Sequence, residues 1–494
     1  MKTGAQYLDS LRDGREVWID GERVTDVTAH PLLGRTARTI GRLYDLQHDP
    51  RHADTVTFTD ARGERHGMAH YVPRSVDDLT RLRRYHELVN LKTGGLWGRL
   101  SAVITIWHAY SMDPVEVYER HGPSWLEHMG QFADHLRRDD LAICGAFHGP
   151  SGDRSKAVSA QDDPDLYLRI VERRRDGVVV NGYRVATLAP FANEIYLVPW
   201  AFLREDEGSW AFAGAVPANA KGVKIVCREP LTTGSSTYEY PLSACLDEMD
   251  AQVIFDHVFV PNERIFCEGS IKVLEEIHLK ARVGGRIAPG TVPYIAWISQ
   301  IQFMARVRLM LGVAYLMTRA SGAYRVQSPA LLNALSEMIQ IYQQVRAFVR
   351  AAEVDPIFTK AGLAVPRPSV AYAGRHFMLD AYYRVLCRFH EVVGGTTAVS
   401  PRERDLRSTE LGPYVRKYLR GVEVDAERRL RLIRLARDLG ASAATARMQL
   451  FNHHADANRD SFIKQIVVYF EDLGEGQACI DEVEGLLKDV AGLE

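Results

Sequence analysis

Apolar positions follow a helical period through most of the first 140 residues, switch to short strand-like runs, and return to a helical period after about residue 280. In SVDDLTRLRRYHELVNLKTGG (75–95), Ser75 precedes two acids and a Gly pair closes the stretch. A serine hydroxyl can cap the free N–H groups of a first turn, acids there complement its partial positive charge, and glycine ends the helix. MDPVEVYERHGPSWLEHMGQFADHLRRDD offers the same kind of start, Asp113 before Pro114. REVWIDGERV places Asp20-Gly21 between short apolar runs, which predicts a β-hairpin.

From about residue 141, LYLRIVERRRDGVVVNGYRVAT carries Asp176-Gly177 and Asn181-Gly182, expected as two hairpin turns in succession. NEIYLVPWAFL, GSWAFAGAVP, GVKIVCRE and AQVIFDHVFVP continue the strand pattern. The segments 294–320, 330–353, 369–392 and 425–450 then repeat apolar residues at i, i+3, i+4 and i+7, as a four-helix bundle and oligomer interface require. The expectation is an α+β chain: a mainly helical region 1–140, a β-barrel or stacked sheets over 141–278, and a helical bundle with its tail over 279–494.

Composition narrows the function. With 61 basic and 63 acidic residues among 494, the net charge of −2 gives no field to recruit nucleic acid or an anionic membrane. The Arg-rich runs at 173–175 and 428–434 are short and read as solvated faces. Six scattered cysteines show neither metal-ligand spacing nor a disulfide framework, so no metal is expected. The stretch 295–317 is apolar but carries Arg306 and Arg308, which lipid would not tolerate cheaply. MKTGAQYLDSLRDGREVWID lacks the apolar region of a secretory signal, and the expected compartment is the cytoplasm.

Candidate chemistry concentrates in CGAFHGPSGDRSK (144–156), with His148, Asp153, Arg154 and Lys156 on one glycine-rich loop. Taken alone, it could hold a phosphate, serve catalysis, or be a surface turn held by an Asp–Arg pair. Ser101, Thr105 and His108 share one face if their segment is helical. EPLTTGSSTYEYPLSA (229–244) reads as a mobile loop.

Several longer strings, in order along nearly the whole chain, resemble the 4-hydroxyphenylacetate 3-monooxygenase family, whose fold is acyl-CoA dehydrogenase-like. They are the N-terminal MKTGAQYLDSLRDGREVWIDGERVTDVTAHP, RLYDLQHDP (42–50), DRSK (153–156), ATLAPFANE (186–194), DAQVIFDHVFVPNERIF (250–266), EVVGG (391–395) and ERRLRLIRLARDLGAS (427–442). The resemblance implies a homotetrameric oxygenase that takes reduced FAD from a separate NAD(P)H-dependent reductase, binds molecular oxygen, forms a C4a-hydroperoxyflavin and hydroxylates an electron-rich ring. It implies a flavin lined by Ser151, Gly152, Asp153, Arg154 and Ala157, Val158, Ser159, Ala160. Thr187 is implied beside flavin N5, and Gly394, Gly395, Ser442, Thr445, Ala446 and Arg447 where the C-terminal helices meet FAD, that of a neighbouring subunit included. Without the resemblance, Thr187 is a strand residue and Gly394-Gly395 a helix cap. The segment 229–244 is implied as a lid.

On the substrate side the chain departs from the family. Of an Arg-x-Pro-Asp-Tyr motif only Arg99 remains, with Leu100, Ser101, Ala102 and Val103 following, and Gly145 stands where the family has a phenol-binding His. The implied substrate contacts are Arg99, Ser101, Val103 and Gly145, and the candidate catalytic groups are Arg99, His148 and His108. Small residues at these positions predict a roomier pocket and an aromatic or heteroaromatic substrate bulkier than 4-hydroxyphenylacetate, consistent with secondary metabolism. Two rivals remain: a CoA-thioester flavoenzyme, whose iron–sulfur form needs a Cys-x-x-x-Cys pair that is absent, and a non-catalytic flavoprotein.

Overall fold

The computed structural model describes residues 1–95, 122–149, 152–198, 203–232, 234, 236–274, 292–358, 362–454 and 459–491. Its longer helices are α1 (Leu33–Asp45), α2 (Val76–Lys92), α3 (Pro123–Arg138), α4 (Val292–Ser321), α5 (Pro329–Val354), α6 (Pro368–Val393), α7 (Ala426–Gly440), α8 (Ala443–His454), α9 (Arg459–Asp472) and α10 (Glu475–Ala491). Ser75 caps α2, its Oγ accepting from Asp78 N at 3.1 Å, and Gly94 and Gly95 end it at φ +72° and +74°. A side chain on Gly95 would strike Cβ of Arg306, so that turn packs directly onto α4. Asp113-Pro114 lies outside the described residues; the described helix of that stretch starts at Pro123.

Ten strands form one mixed sheet: β1 (Glu16–Ile19), β2 (Glu22–Val24), β3 (Ile143–His148), β4 (Arg169–Arg174), β5 (Gly177–Thr187), β6 (Glu194–Leu197), β7 (Phe212–Pro217), β8 (Val223–Cys227), β9 (Asp250–Pro261) and β10 (Ile265–Glu268). Their order is β10-β7-β6-β3-β5-β9-β8-β1-β2, with β4 paired to β5. The Asp20-Gly21 hairpin forms, at φ +52° and +79°, and β1 then runs parallel to β8. The sheet thus recruits strands from well before residue 141, because β1 buries Val17 and Ile19 in the same core as Ile225 and Phe255.

Two expectations are corrected. Asn181-Gly182 is not a turn: β5 runs straight through it. Gly182, at φ +126°, lets the chain pass within contact of Tyr167 and Leu168, and Asn181 Oδ1 accepts from His257 N at 3.1 Å in a bulge of β9. The helix expected over 425–450 is two helices, since α7 stops at Gly440, whose bare face lies against Phe389, and Ser442 starts α8.

The apolar interior falls into separate clusters. Trp297, Met338 and Phe389 of α4, α5 and α6 share one with Leu79 and Leu82 of α2, and the sheet encloses another around Val180, Val253 and Phe255. Helix α3 covers the outer face near β10 through Phe132 against Phe266. The candidate site lies where sheet and bundle meet, because there polar side chains from both can reach one another.

Candidate active site

Strand β5 ends at Thr187, directly opposite Asp250, the first residue of β9. Thr187 Oγ1 donates to Asp250 Oδ1 at 2.8 Å. From α8, Arg447 grips the same carboxylate with Nη2 to Oδ1 at 2.7 Å and Nε to Oδ2 at 2.9 Å, and holds Glu248 Oε2 with Nη1 at 2.6 Å. Arg228 Nε adds a bond to Asp250 Oδ2 at 3.1 Å. Burial alone would raise the Asp250 carboxyl, but Arg447, Arg228 and the Thr187 bond outweigh it and hold it below the usual carboxylate range. Burial opposes the Arg447 charge, and its two carboxylates reverse that and raise its pKa. The guanidinium stacks over Phe451 at 4.3 Å.

Upstream of Arg447, the break between α7 and α8 is knitted by its own hydroxyls. Ser442 Oγ donates to Asp438 O at 2.7 Å, and buried Thr445 Oγ1 donates to Leu439 O at 2.9 Å. Arg306 of α4 donates from Nη2 to Leu439 O at 2.9 Å and to Thr445 Oγ1 at 3.2 Å. Ala446 is exposed. Asp438 accepts from Leu242 N at 2.8 Å, Ser243 N at 2.9 Å and Ser243 Oγ at 2.7 Å, so the end of the candidate lid is docked on α7. Between lid and helix lies a cavity of about 260 Å³ lined by Glu239, Tyr240, Ser400, Arg402, Arg434 and Arg437, with Asp438 and Ser442. Arg434 pairs with Glu239 at 3.0 Å, burial lowering its pKa against that partner's pull. Ser400 Oγ is buried without a hydrogen-bond partner among the described residues. Gly394 caps α6 at φ +72°, while a side chain on Gly394 or Gly395 would meet no atom of the described residues within 4 Å.

The loop after β3 is pinned by its neighbours. Asp153 accepts from Ser155 N at 3.0 Å and Ser155 Oγ at 2.6 Å, and Lys156 reaches Asp162 at 2.6 Å. Glu207 Oε1 accepts from Ser159 N at 2.7 Å. The Asp–Arg pair of the surface-turn reading is absent; Arg154 is exposed and has no ion-pair partner among the described residues. Gly152 takes φ +41°, Val158 is buried, and Ala157 is half-buried beside exposed Ala160.

Adjacent strands bring the substrate-side positions alongside: Ala146 of β3 faces Ala186 of β5, and His148 faces Val185. His148 is half-buried at the end of β3. Gly145 does not open room. A Cβ there would lie 2.1 Å from Cζ of Phe147, so the Phe147 ring fills the space that a larger residue would take, standing edge-on to Tyr196 at 6.0 Å. The expectation of a roomier pocket is corrected at this position. Arg99, Ser101, Val103, Thr105, His108 and Ser151 lie outside the described residues.

The resemblance named Thr187 and Arg447 separately as flavin contacts, a neighbouring subunit's flavin included for Arg447, and missed Asp250 and Glu248, which join the two here, as well as Phe147 and Asp438. The available signals were an acid on alternate residues at the head of a strand, an aromatic two residues after Gly145, and Arg306 in an apolar helix.

Family models described as 4-hydroxyphenylacetate 3-hydroxylase match the chain, the N-terminal one over residues 3–267 and the C-terminal one over 289–470. The chain is 32% identical to the 4-hydroxyphenylacetate 3-monooxygenase oxygenase component of Thermus thermophilus, covering 91% of this chain and 90% of that protein. It is 30% identical to a (3S)-3-amino-3-(3-chloro-4-hydroxyphenyl)propanoyl-peptidyl-carrier-protein monooxygenase of Streptomyces globisporus, over 98% and 91% of the two chains. The crystal structure of a 4-hydroxyphenylacetate 3-monooxygenase oxygenase component complexed with FAD superposes with a TM-score of 0.89 at 29% identity, covering 100% of this chain and 99% of that one. The acyl-CoA dehydrogenase-like layout extends to a 4-hydroxybutyryl-CoA dehydratase, TM-score 0.84 over 100% and 95% of the chains, a likeness of fold alone at 24% identity.

Proposed function

Because this chain belongs to the 4-hydroxyphenylacetate 3-hydroxylase family and is an FADH2-dependent aromatic monooxygenase, we propose that it hydroxylates a phenolic or heteroaromatic substrate bulkier than 4-hydroxyphenylacetate. FAD is its cofactor, delivered reduced by a separate NAD(P)H-dependent reductase. When bound, the flavin supplies oxygen activation through a C4a-hydroperoxide, and the protein supplies position and exclusion of water.

The residues present suit such a cofactor. Three arginines and the unpartnered Ser400 hydroxyl line the lid cavity, which supports it as a place for the phosphates or sugar of FAD. Arg154 is an exposed cation of the 152–160 loop with no ion-pair partner among the described residues. Thr187 presents its hydroxyl at the meeting of β5 and β9, where the flavin ring is placed in this reading. Gly395 has a helical-range φ of −62° and, among the described residues, no neighbour that demands a glycine, which favours a contact outside this chain. Exposed Ile480, Val483, Leu486 and Leu487 along α10 support a homotetramer.

The observation that carries the mode of substrate holding is the Phe147 ring in the space beside Gly145, which adds no room, while the greater size of the substrate rests on the relatives. A buried phenolate needs donors, and this face offers a hydrocarbon ring instead. That favours a substrate held by aromatic contact along a larger body, with its polar end gripped elsewhere, by Arg99 or His148 in this reading. The Streptomyces globisporus relative, named for a carrier-protein-borne aryl substrate, makes such size plausible within the family. No helix among the described residues is long and apolar enough to cross a membrane.

The test couples the protein to a flavin reductase, NADH and FAD under 18O2, with phenols ranging from 4-hydroxyphenylacetate to carrier-bound aryl thioesters. Single 18O incorporation into a larger phenol, in preference to 4-hydroxyphenylacetate, is the expected result. NADH oxidation yielding only peroxide with every phenol would defeat it and favour the non-catalytic flavoprotein.

A further inference from the structure

The Thr187 hydroxyl has one hydrogen and two lone pairs, and the network around it decides where each points. Asp250 is held as a carboxylate by two guanidinium groups, so its Oδ1 can only accept. The hydrogen of Thr187 is therefore committed to Asp250 at 2.8 Å. Among the described residues nothing donates to Thr187 Oγ1, so its lone pairs remain the only hydrogen-bonding capacity it can turn toward a ligand. A hydroxyl fixed in this way accepts hydrogen bonds and cannot give one.

A flavin changes sign at the atom concerned. Oxidised flavin presents N5 as an acceptor, whereas reduced flavin carries an N5–H donor. We propose that Asp250 is a positioning residue that presets Thr187 as an acceptor and so makes the site select reduced over oxidised flavin. The inference rests on the placement of the flavin ring against Thr187 in the reading above. Turning the hydroxyl toward oxidised N5 would forfeit a charge-assisted bond to Asp250, which is stronger than the neutral bond gained. Selection of the reduced form suits an enzyme that must take flavin from a reductase and release it after turnover.

Asparagine at position 250 reverses the arrangement on donor count. The Oδ2 position faces two donors, Arg447 Nε and Arg228 Nε, and the Oδ1 position faces one, Arg447 Nη2, besides the hydroxyl. The amide therefore settles with its oxygen on the two Nε groups and its NH2 toward Thr187, freeing the hydroxyl hydrogen.

The test is the ratio of dissociation constants for oxidised FAD, by fluorescence quenching in air, and for dithionite-reduced FAD under anaerobic conditions. The wild type should favour reduced flavin. Asp250→Asn should narrow the ratio about tenfold, equivalent to roughly 1.4 kcal/mol. Thr187→Val should narrow it similarly, Thr187→Ser should keep it, and Asp250→Asn added to Thr187→Val should change nothing further. A wild-type ratio in Asp250→Asn, or an equal narrowing by Asp250→Asn with and without the Thr187 hydroxyl, overturns the proposal. Should Asp250→Asn not fold, identical ratios in Thr187→Ser and Thr187→Val overturn it as well. If Thr187→Val alters neither constant, the placement of the flavin at Thr187 fails, whereas a narrowing by Thr187→Val without one by Asp250→Asn defeats only the orienting role.

Discussion

Asp250 and Gly145 stand on strands that flank the same β5, yet their surroundings are built on opposite terms. Around Asp250 charge meets opposite charge: two guanidinium groups, two carboxylates and a hydroxyl lie at hydrogen-bond distance. Around Gly145 the site is shaped by hydrocarbon, the Phe147 ring lying where a side chain at 145 would project. A charge network tolerates little change, because losing one member strands the others in a poor solvent. An apolar face can be reshaped one side chain at a time at modest cost. In the proposed reading, the difference accounts for a family-like cofactor half beside a substrate half that has departed from the family.

The comparison can be broken most strongly at Arg447. Arg447→Ala removes the cation that Glu248 and Asp250 share, leaving only Arg228 on Asp250, and should cost about 3–5 kcal/mol of unfolding free energy in urea denaturation. A loss below about 1 kcal/mol would show that water already screens the pair. On the other side, Gly145→His should clash with Phe147 and cost about 1–3 kcal/mol, most of it recovered in Gly145→His/Phe147→Ala. A Gly145→His variant as stable as the wild type would mean that the ring swings aside freely. Ser442→Ala removes the hydroxyl that accepts from Thr445 N at 3.4 Å at the start of the helix carrying Arg447, and should cost about 1 kcal/mol in thermal unfolding. The smallest effect at neutral pH is protonic. Since Asp250 has a folded pKa below its unfolded value, its contribution is present above the ordinary carboxylate range and fades as pH falls through the folded pKa. Melting curves between pH 6 and pH 3 should fall less steeply in Asp250→Asn than in the wild type, and parallel curves would contradict the linkage.

Much of the architecture was legible locally. The Asp20-Gly21 turn, the Ser75 cap and the Gly94-Gly95 stop each rest on backbone chemistry confined to a few residues. Asn181-Gly182 misled because the same dipeptide that suits a hairpin also suits a bulged crossing, and the neighbour that decides between them, His257, is 76 residues away. Gly440 was hidden inside a periodic stretch, its reason being the Phe389 ring of another helix. Within the candidate site, Thr187 and Arg447 could be singled out from their strings, but their connection could not. Asp250 lies 63 residues from Thr187 and 197 from Arg447; the β5–β9 register brings the first pair together, and the packing of α8 against the sheet brings Arg447 to them.

By itself, then, the sequence determined the succession of helical, strand and helical regions and the family strings, because period and turn chemistry are properties of neighbouring residues. Only the tertiary structure decided which way the Thr187 hydroxyl points, that Arg447 is spent on two carboxylates, and that Phe147 fills the space Gly145 leaves. Hydrogen-bond direction, charge pairing and packing depend on contacts between residues far apart in the chain, and those distances exist only once the chain has folded.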